Sequence, residues 1–211
     1  MSLRGRIAIV SGASRGYIIE NLTKKFYESD PDLWDKFNNV GLRNHYFCVV
    51  LGARIMNKQG RGLIVNVGSP GGLYTLFNIP YGVGKCALDR MSKDMAQHLK
   101  DTKITVVSLW PGAVKTELIM NAVENSKNGL GLDNINTLFL NGESIEYSGK
   151  AVVSLALDPK VHTFAGKILF TADLGHKYKF KDIDATKFKR DGNELLLKLI
   201  NFFGEARLEV S

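Results

Sequence analysis

The sequence lacks the features that define several classes of protein. Its 211 residues include two cysteines, too few for a disulfide framework, and four histidines that show no metal-ligand spacing. No apolar run approaches the roughly 20 residues of a membrane-spanning helix, and no apolar signal region follows Met1–Arg6. Internal repeats and low-complexity segments are absent as well. These absences favour one globular domain over residues 1–211.

The two cysteines indicate a compartment. Cys48 lies in an apolar stretch and Cys86 in a segment with a helical pattern, so we expect both in the protein core. Unpaired core cysteines are typical of a reducing compartment. We therefore expect a cytoplasmic protein, for which a peripheral contact with the endoplasmic reticulum surface is the one membrane association left open.

The chain has few acidic residues relative to basic ones, and its formal net charge is +7. Basic side chains concentrate in residues 176–190. Such a cluster can bind nucleic acid or an anionic membrane surface. Because no recognition motif accompanies it, we interpret residues 176–211 as a solvated basic extension and expect no nucleic-acid partner.

Four short apolar segments have the pattern of buried strands in a parallel sheet. They are residues 7–10, 63–67, 104–109 and 167–170. Helical patterns cover residues 34–60, 81–99 and 144–155, the last with Ser144 as cap. The apolar stripe of the first helix, which we expect to pack on the sheet, consists of Phe37, Val40, Phe47, Val50 and Leu51. This order of elements predicts an α/β fold.

The segment Tyr81-Gly-Val-Gly-Lys85 predicts catalytic chemistry. A tyrosine and a lysine four residues apart lie on one face of a helix. A nearby ammonium favours the phenolate, so we expect a lowered pKa for Tyr81 and a role as general acid or base. Ser69, at the end of the preceding strand, would orient a carbonyl group and stabilise the negative charge that develops on its oxygen. Each residue alone suits a structural role, but together they predict a site that moves a proton while a hydride moves.

These segments resemble the short-chain dehydrogenase/reductase family, over residues 3–16 and about 27–180. The resemblance rests on Ile7–Gly16, Leu63–Ser69, Asn78–Lys85 and Ser108–Leu118. It implies a Rossmann-like doubly wound parallel sheet with helices on both faces, and catalytic roles for Ser69, Tyr81 and Lys85. It also implies an NAD(P)-dependent oxidoreductase that interconverts a carbonyl and a secondary alcohol by hydride transfer.

The same resemblance implies a set of cofactor-binding residues. They are Gly12, Ser14, Arg15, Gly16, Lys85, Pro111, Gly112, Val114 and Thr116. Gly12 and Gly16 would let the backbone approach a pyrophosphate, and Lys85 would hold ribose hydroxyls. Arg15 resembles the family's basic residue that pairs with a 2′-phosphate, which favours NADP(H) over NAD(H).

The resemblance further implies a lid over the substrate at residues 125–142, and this segment is rich in Asn and Gly. A small hydrophobic carbonyl or alcohol substrate is favoured by the apolar residues Leu73, Tyr74, Leu76 and Phe77. The helices that contain Trp34 and Tyr81 correspond to the family's usual subunit interface, which implies a homodimer or homotetramer.

The chain departs from the family pattern directly after Gly16. The third glycine of the Gly-rich turn falls at Ile18, and the next helix and strands two to four of the family are missing, among them the strand with the acidic ribose-binding residue. We interpret the Gly16–Tyr17 join as an internal deletion, with a splice form, a gene-model error or an unrecorded stretch as its origin. A complete minimal fold is the alternative. The matching functional alternative is a non-catalytic truncated family member that acts only through dimer contacts.

The departure changes what we expect of the sheet and of the proton relay. In the family, one of the missing strands separates the first strand from the strand at residues 63–67. We therefore expect residues 7–10 to pair with residues 63–67 directly and in parallel. The family's relay asparagine corresponds to Gly41, and Asn38 and Asn39 lie on different helix faces, so we expect the relay to be impaired.

Overall fold

The computed structural model describes residues 8–11, 25–125 and 133–184. The strands are β1 (Ala8–Ser11), β2 (Gly62–Val67), β3 (Ile104–Trp110) and β4 (Ile168–Phe170). The α-helices are α1 (Leu33–Asn38), α2 (Asn44–Gln59), α3 (Ile79–His98), α4 (Glu117–Asn125), α5 (Asp133–Leu140), α6 (Ile145–Leu157) and α7 (Thr171–Tyr178). Short 3₁₀ turns cover Phe26–Glu28, Pro70–Gly72 and Val161–Phe164, and a π-helical turn covers Asn39–Arg43. None of the helices in these ranges is long and apolar enough to cross a membrane.

Part of the predicted cofactor site lies outside the described residues, namely Gly12, Ser14, Arg15 and Gly16. The same holds for residues 126–132 of the expected lid and for residues 185–211 of the basic extension. The catalytic candidates and the segment after β3 are all described.

The strands form one parallel sheet in the order β1-β2-β3-β4. Ala8 lies opposite Leu63 and Val10 opposite Val65, so β1 pairs directly with β2. The predicted pairing of the first strand with residues 63–67 is therefore confirmed. Parallel neighbours need a crossover of about a dozen residues or more, and α1 and α2 provide it between β1 and β2.

Helices cover both faces of the sheet, as the predicted doubly wound fold requires. One face packs against α6 and α7, and its core contains Leu63, Val65, Val107, Leu109, Ala151, Leu155, Leu169 and Leu174. The other face packs against α2 and the end of α3, and its core contains Val49, Met56, Ile64, Ile104 and Val106. Alternate residues of β2 and β3 face opposite layers, which explains why both strands are almost continuously apolar. The Rossmann-like fold class is thus confirmed for the described residues.

The predicted packing stripe of the first long helix is only partly right. Phe37 is buried, but Val40 and Phe47 are each 44% exposed and Leu51 is 57% exposed. The π-helical turn Asn39–Arg43 interrupts the helix and adds a residue to one turn. The extra residue rotates everything that follows, so that α2 buries His45, Val49, Gly52 and Met56 instead. Apolar side chains that the sequence pattern assigned to the core therefore lie on the surface.

Both cysteines are exposed, so the expectation that they lie in the core is wrong. Cys48 directly precedes the buried Val49, and Cys86 lies between the buried Gly84 and Leu88. Because a helix has 3.6 residues per turn, neighbouring residues point about 100° apart, and each thiol lies on the outward face of its helix. The argument from buried thiols to a reducing compartment does not hold.

Candidate active site

The carboxyl end of β2 and the first turn of α3 bring Ser69 and Tyr81 together. The Tyr81 hydroxyl donates a hydrogen bond of 2.8 Å to Ser69 Oγ. The side-chain oxygen of Asn78 accepts a bond of 3.0 Å from the Tyr81 backbone N–H and caps α3, which holds Tyr81 in the first turn. Two of the three predicted catalytic side chains are therefore in direct contact.

The loop after Ser69 approaches α3 so closely that its contact positions must lack side chains. A Cβ on Gly71 would lie 2.6 Å from Cε1 of Tyr81, and a Cβ on Gly72 would lie 2.7 Å from the backbone nitrogen of Cys86. Ser69 Oγ also accepts a bond of 3.1 Å from the Gly71 backbone N–H. The two glycines thus allow the loop to pack closely against α3, which brings Ser69 within hydrogen-bond distance of Tyr81.

Aromatic rings surround Tyr81 and alter its acidity. The Phe77 and Phe37 rings lie edge-on to it, at centroid distances of 5.1 and 6.4 Å. Desolvation raises the pKa of Tyr81; the Ser69 hydrogen bond opposes the rise and the charge of Asp89 adds to it. The expected lowering of the Tyr81 pKa is therefore wrong for this structure, because burial outweighs the favourable hydrogen bond. Tyr81 is therefore a neutral phenol near pH 7, and its hydroxyl donates a hydrogen bond to Ser69.

Lys85 lies one helical turn after Tyr81 and reaches back to the sheet. Its Nζ donates a hydrogen bond of 2.9 Å to the Val67 carbonyl oxygen and lies 5.8 Å from the centroid of the Tyr81 ring. Desolvation lowers the pKa of Lys85 to about 8, and the charge of Asp89 limits the fall. Lys85 is therefore mostly charged at pH 7.

Asp89 is a residue of the site that the sequence analysis missed. Its Oδ1 accepts hydrogen bonds from Ser108 Oγ at 2.5 Å and from Trp110 Nε1 at 3.0 Å. Desolvation raises the pKa of Asp89, and these two bonds and the charge of Lys85 oppose the rise. A Cβ on Gly68 would lie 2.5 to 2.7 Å from these three polar groups, so the backbone before Ser69 packs directly on them. The spacing of four residues from Lys85 on one helix face could have identified Asp89.

The predicted cofactor residues after β3 lie at the carboxyl edge of the sheet, as Ser69 does. The ends of β2 and β3 are joined there by a hydrogen bond of 2.9 Å from the Gly68 N–H to the Leu109 carbonyl oxygen. Thr116 Oγ1 accepts a bond of 3.4 Å from the Ile119 N–H at the start of α4. The chain between these two points contains Pro111, Gly112 and Val114.

The position that corresponds to the family's relay asparagine lies in the π-helical turn. A Cβ added to Gly41 would meet no atom within 4 Å. Asn38 is buried nearby, but its side-chain N–H groups donate to the carbonyl oxygens of Trp34 at 3.3 Å and Pro80 at 3.4 Å. Asn38 therefore joins α1 to the start of α3.

The described part of the site fits the nicotinamide half of a dinucleotide. An ammonium carries three N–H groups, so Lys85 has donors beyond its bond to Val67 for ribose hydroxyls. The Asn78 side-chain nitrogen is a buried donor with no partner among the residues from 25 to 125 and from 133 to 184, which suits a polar ligand near Tyr81. The residues assigned to the pyrophosphate and the 2′-phosphate lie outside the described ranges.

Comparison with known proteins gives consistent results. Residues 6–127 match the family model described as short chain dehydrogenase. The chain is 44% identical to dehydrogenase/reductase SDR family member 1 of Mus musculus, over 88% of this chain and 61% of that protein. The Homo sapiens protein of the same name is also 44% identical, over 86% of this chain and 59% of that protein. The chain therefore spans about six tenths of the length of these two relatives.

Two further relatives are more distant. NADPH-dependent aldehyde reductase 2 of Arabidopsis thaliana is 31% identical, over 44% of this chain and 35% of that protein. Among solved structures, acetoin dehydrogenase from Enterobacter cloacae has a TM-score of 0.61 and is 27% identical, covering 79% of this chain and 63% of that chain.

Proposed function

This chain belongs to the short chain dehydrogenase family, and on that premise we propose that it is an NAD(P)-dependent oxidoreductase that interconverts a carbonyl and a secondary alcohol. The observation that carries the proposal is the 2.8 Å hydrogen bond between Tyr81 and Ser69, with Lys85 one turn further along α3. A phenol, a hydroxyl and an ammonium thus converge at the carboxyl edge of a parallel sheet. Open α/β sheets bind their ligands at this edge.

Tyr81 is the proposed general acid for carbonyl reduction. Its raised pKa keeps it protonated near neutral pH, so it can donate its proton to the alkoxide oxygen as that oxygen forms. Ser69 would donate a hydrogen bond to the same oxygen and stabilise its negative charge. Lys85 would stabilise the phenolate left on Tyr81, since a neighbouring cation favours the charged form. A bound nicotinamide group would supply the hydride in this direction and accept it in the other.

The preferred cofactor is proposed to be NADP(H). The proposal rests on Arg15, which resembles the family's residue for the 2′-phosphate and lies outside the described residues. One of the relatives is named as an NADPH-dependent reductase, which supports the same choice.

The substrate is proposed to be a small hydrophobic carbonyl compound or alcohol. The apolar loop that precedes α3 ends beside the catalytic candidate, where the Phe77 ring lies 5.1 Å from the Tyr81 ring. Leu73, Tyr74 and Leu76 of this loop are half-buried and leave apolar surface for a ligand.

The first experiment is thermal unfolding of the purified protein with and without saturating NADPH or NADH. A cofactor that binds only the native state raises the midpoint. We expect a larger shift with NADPH than with NADH, followed by turnover of apolar aldehydes or ketones that Tyr81→Phe abolishes. A cooperatively folding protein with no shift for either cofactor would refute the proposal.

The second candidate function is that of a non-catalytic family member that acts through subunit contacts. It is favoured by the direct pairing of β1 with β2 and by the chain's span of 61% of its mouse relative. Phe47, Leu51 and Ile55 follow one another at spacings of four residues on α2 and are 44%, 57% and 52% exposed. We propose this α2 apolar surface as part of a homodimer interface. Dimerisation without cofactor binding would favour this second function over the first.

A further inference from the structure

Glu143 is a buried carboxylic acid that the proposed reaction does not use. It lies between α5 and α6 with 3% of its surface exposed. The charged group that acts on it is another acid, Asp182, which opposes its ionisation. Burying a carboxyl group beside a like charge is unfavourable, so the contacts that Glu143 makes there must compensate.

The side chain of Glu143 joins two segments that follow β-strands. Its Oε1 accepts a hydrogen bond of 2.6 Å from Thr171 Oγ1, at the start of α7. The backbone N–H of Gly112 donates to the same carboxyl group. A Cβ on Gly112 would lie 2.8 Å from this oxygen, so the carboxyl group packs directly against the turn after β3.

The backbone of Glu143 holds the residues that follow Gly112. Its N–H donates a bond of 2.7 Å to the Ala113 carbonyl oxygen, and its carbonyl oxygen accepts a bond of 2.8 Å from the Lys115 N–H. Val114 and Glu143 also form an isolated parallel β-bridge. One residue therefore holds residues 112–115, called the strap below, through both its side chain and its backbone.

We infer that Glu143 is a positioning residue whose carboxyl oxygen holds the strap in the conformation that binds the nicotinamide half of the cofactor. The inference rests on the proposed function and on the expectation, from the family resemblance, that Gly112 and Val114 bind the cofactor. Glu143 acts through Gly112 and does not itself touch the cofactor.

The role of Glu143 requires a hydrogen-bond acceptor and not a negative charge. Burial raises the pKa of Glu143 to about 7, so much of it is protonated near neutral pH. Its Oε2 is buried and has no partner among the residues that the structure describes, which makes it the place for that proton. Glutamine would present the same acceptor to Gly112 and Thr171, whereas alanine would leave both donors without a partner.

The test compares Glu143→Ala and Glu143→Gln, with Glu146→Ala as a control on the exposed side of α6. NADPH affinity is measured by calorimetric titration, and hydrogen exchange is measured in peptides that cover residues 110–116 without cofactor. We expect Glu143→Ala to weaken NADPH binding about tenfold, which corresponds to a loss of about 1.4 kcal/mol in binding free energy. We also expect it to accelerate hydrogen exchange in the strap. Glu143→Gln and Glu146→Ala should stay within about twofold of the wild type, since each keeps the acceptor.

Two results would overturn the inference. One is a Glu143→Ala variant with wild-type affinity and wild-type exchange; the other is a Glu143→Gln variant as impaired as Glu143→Ala. If Glu143→Ala does not fold, Thr171→Val replaces it, because it removes only the hydroxyl that holds the carboxyl group. Unchanged exchange in that variant would likewise overturn the inference. A wild-type protein that binds no NADPH refutes the proposed function, and strap exchange then decides separately whether Glu143 holds this segment.

Discussion

Asp89 accepts a hydrogen bond of 2.5 Å from Ser108, and this contact joins the helix of the catalytic candidates to the neighbouring strand β3. The bond holds a carboxyl group one helical turn beyond Lys85. From there its negative charge opposes loss of the proton from both Lys85 and Tyr81. Asp89 therefore links the acidity of the site to the packing of α3 on the sheet.

We expect Asp89→Asn to shift the pH dependence of carbonyl reduction. The proposed mechanism requires a charged Lys85, whose pKa is about 8, and a protonated Tyr81. Without the carboxylate both groups lose their protons more readily, so the alkaline limb should move down by about 1 pH unit. Initial rates between pH 6 and 10 measure the shift. Asp94→Asn, at an exposed position of α3, is the control, and identical limbs in the two variants would rule out the role of Asp89.

Tyr81→Phe should remove turnover and leave cofactor binding intact. The variant keeps the ring, so its contacts with Phe77 and Phe37 persist. Loss of the proton donor should lower kcat about 10²- to 10⁴-fold, while the NADPH-induced rise in Tm remains. Steady-state kinetics and thermal unfolding together provide the measurement. Tyr27→Phe, at a position where the tyrosine is 65% exposed, is the matched control, and a Tyr81→Phe variant with a tenth or more of wild-type kcat would exclude the general-acid role.

Glu143 should make the protein less stable as the pH rises from about 4.5 to about 7. Its pKa is about 7 in the folded protein and 4.5 in the absence of the fold. Between these values the folded state holds one more proton than the unfolded state, so stability falls with pH. At about 1.4 kcal/mol per pKa unit, Glu143→Gln should gain about 3 kcal/mol on the wild type across this range. Urea unfolding at pH 5 and pH 7.5 measures the gain, and a constant difference between the two proteins would contradict it.

Gly41→Asn should improve turnover without loss of stability. The position lies in the π-helical turn where the family's relay asparagine is expected, and a Cβ there meets no atom within 4 Å. An asparagine could hold a water that relays protons to Tyr81, and we expect kcat to rise while KM for the substrate stays constant. Gly41→Ala is the control: it should raise the free energy of unfolding by about 0.4–1 kcal/mol with no gain in kcat. Equal kcat in both variants would show that the position does not support a relay.

The α2 apolar surface should govern self-association. Leu51 is 57% exposed at its centre, and Leu51→Lys would place a charge within any apolar contact. We expect the wild type to elute as a dimer and Leu51→Lys to dissociate at least tenfold more readily, as measured by light scattering over a concentration series. Asn57→Lys adds the same charge at another exposed position of α2 and should leave the dimer unchanged. A monomeric wild type at about 100 µM, well above the Kd expected of a stable interface, would refute this interface.

Local sequence patterns were sufficient for the four strands, for the helices that begin near residues 33, 79 and 145, and for three of the site candidates, but they did not predict α4, α5 or α7. The α6 start was predicted from Ser144, whose side-chain oxygen does accept a bond of 3.2 Å from the Tyr147 N–H. Short apolar runs identified the strands, since strands buried on both faces are continuously apolar. The spacing of Tyr81 and Lys85 placed them on one helix face because the helical period is a local property.

Patterns failed where one local irregularity changed everything that followed it. The π-helical turn Asn39–Arg43 has no clear sequence signature, yet it rotated α2 and exposed Phe47 and Leu51. The exposure of Cys48 and Cys86 follows from the same dependence on helix phase. The side of a helix that packs against a sheet depends on how the helix is rotated about its axis where the two meet. A 3.6-residue pattern in the sequence alone does not reveal that rotation.

The sequence by itself determined the fold class and the proximity of Ser69 and Tyr81, because these depend on the order and spacing of segments along the chain, and the family resemblance added the direct β1–β2 pairing. Only the tertiary structure decided the direction of the Tyr81 pKa shift, which depends on desolvation by rings from separate segments. Likewise, it alone brought Glu143 to Thr171 across 28 residues of sequence. Burial and long-range contacts arise only when distant segments pack together, so short-range sequence patterns do not predict them.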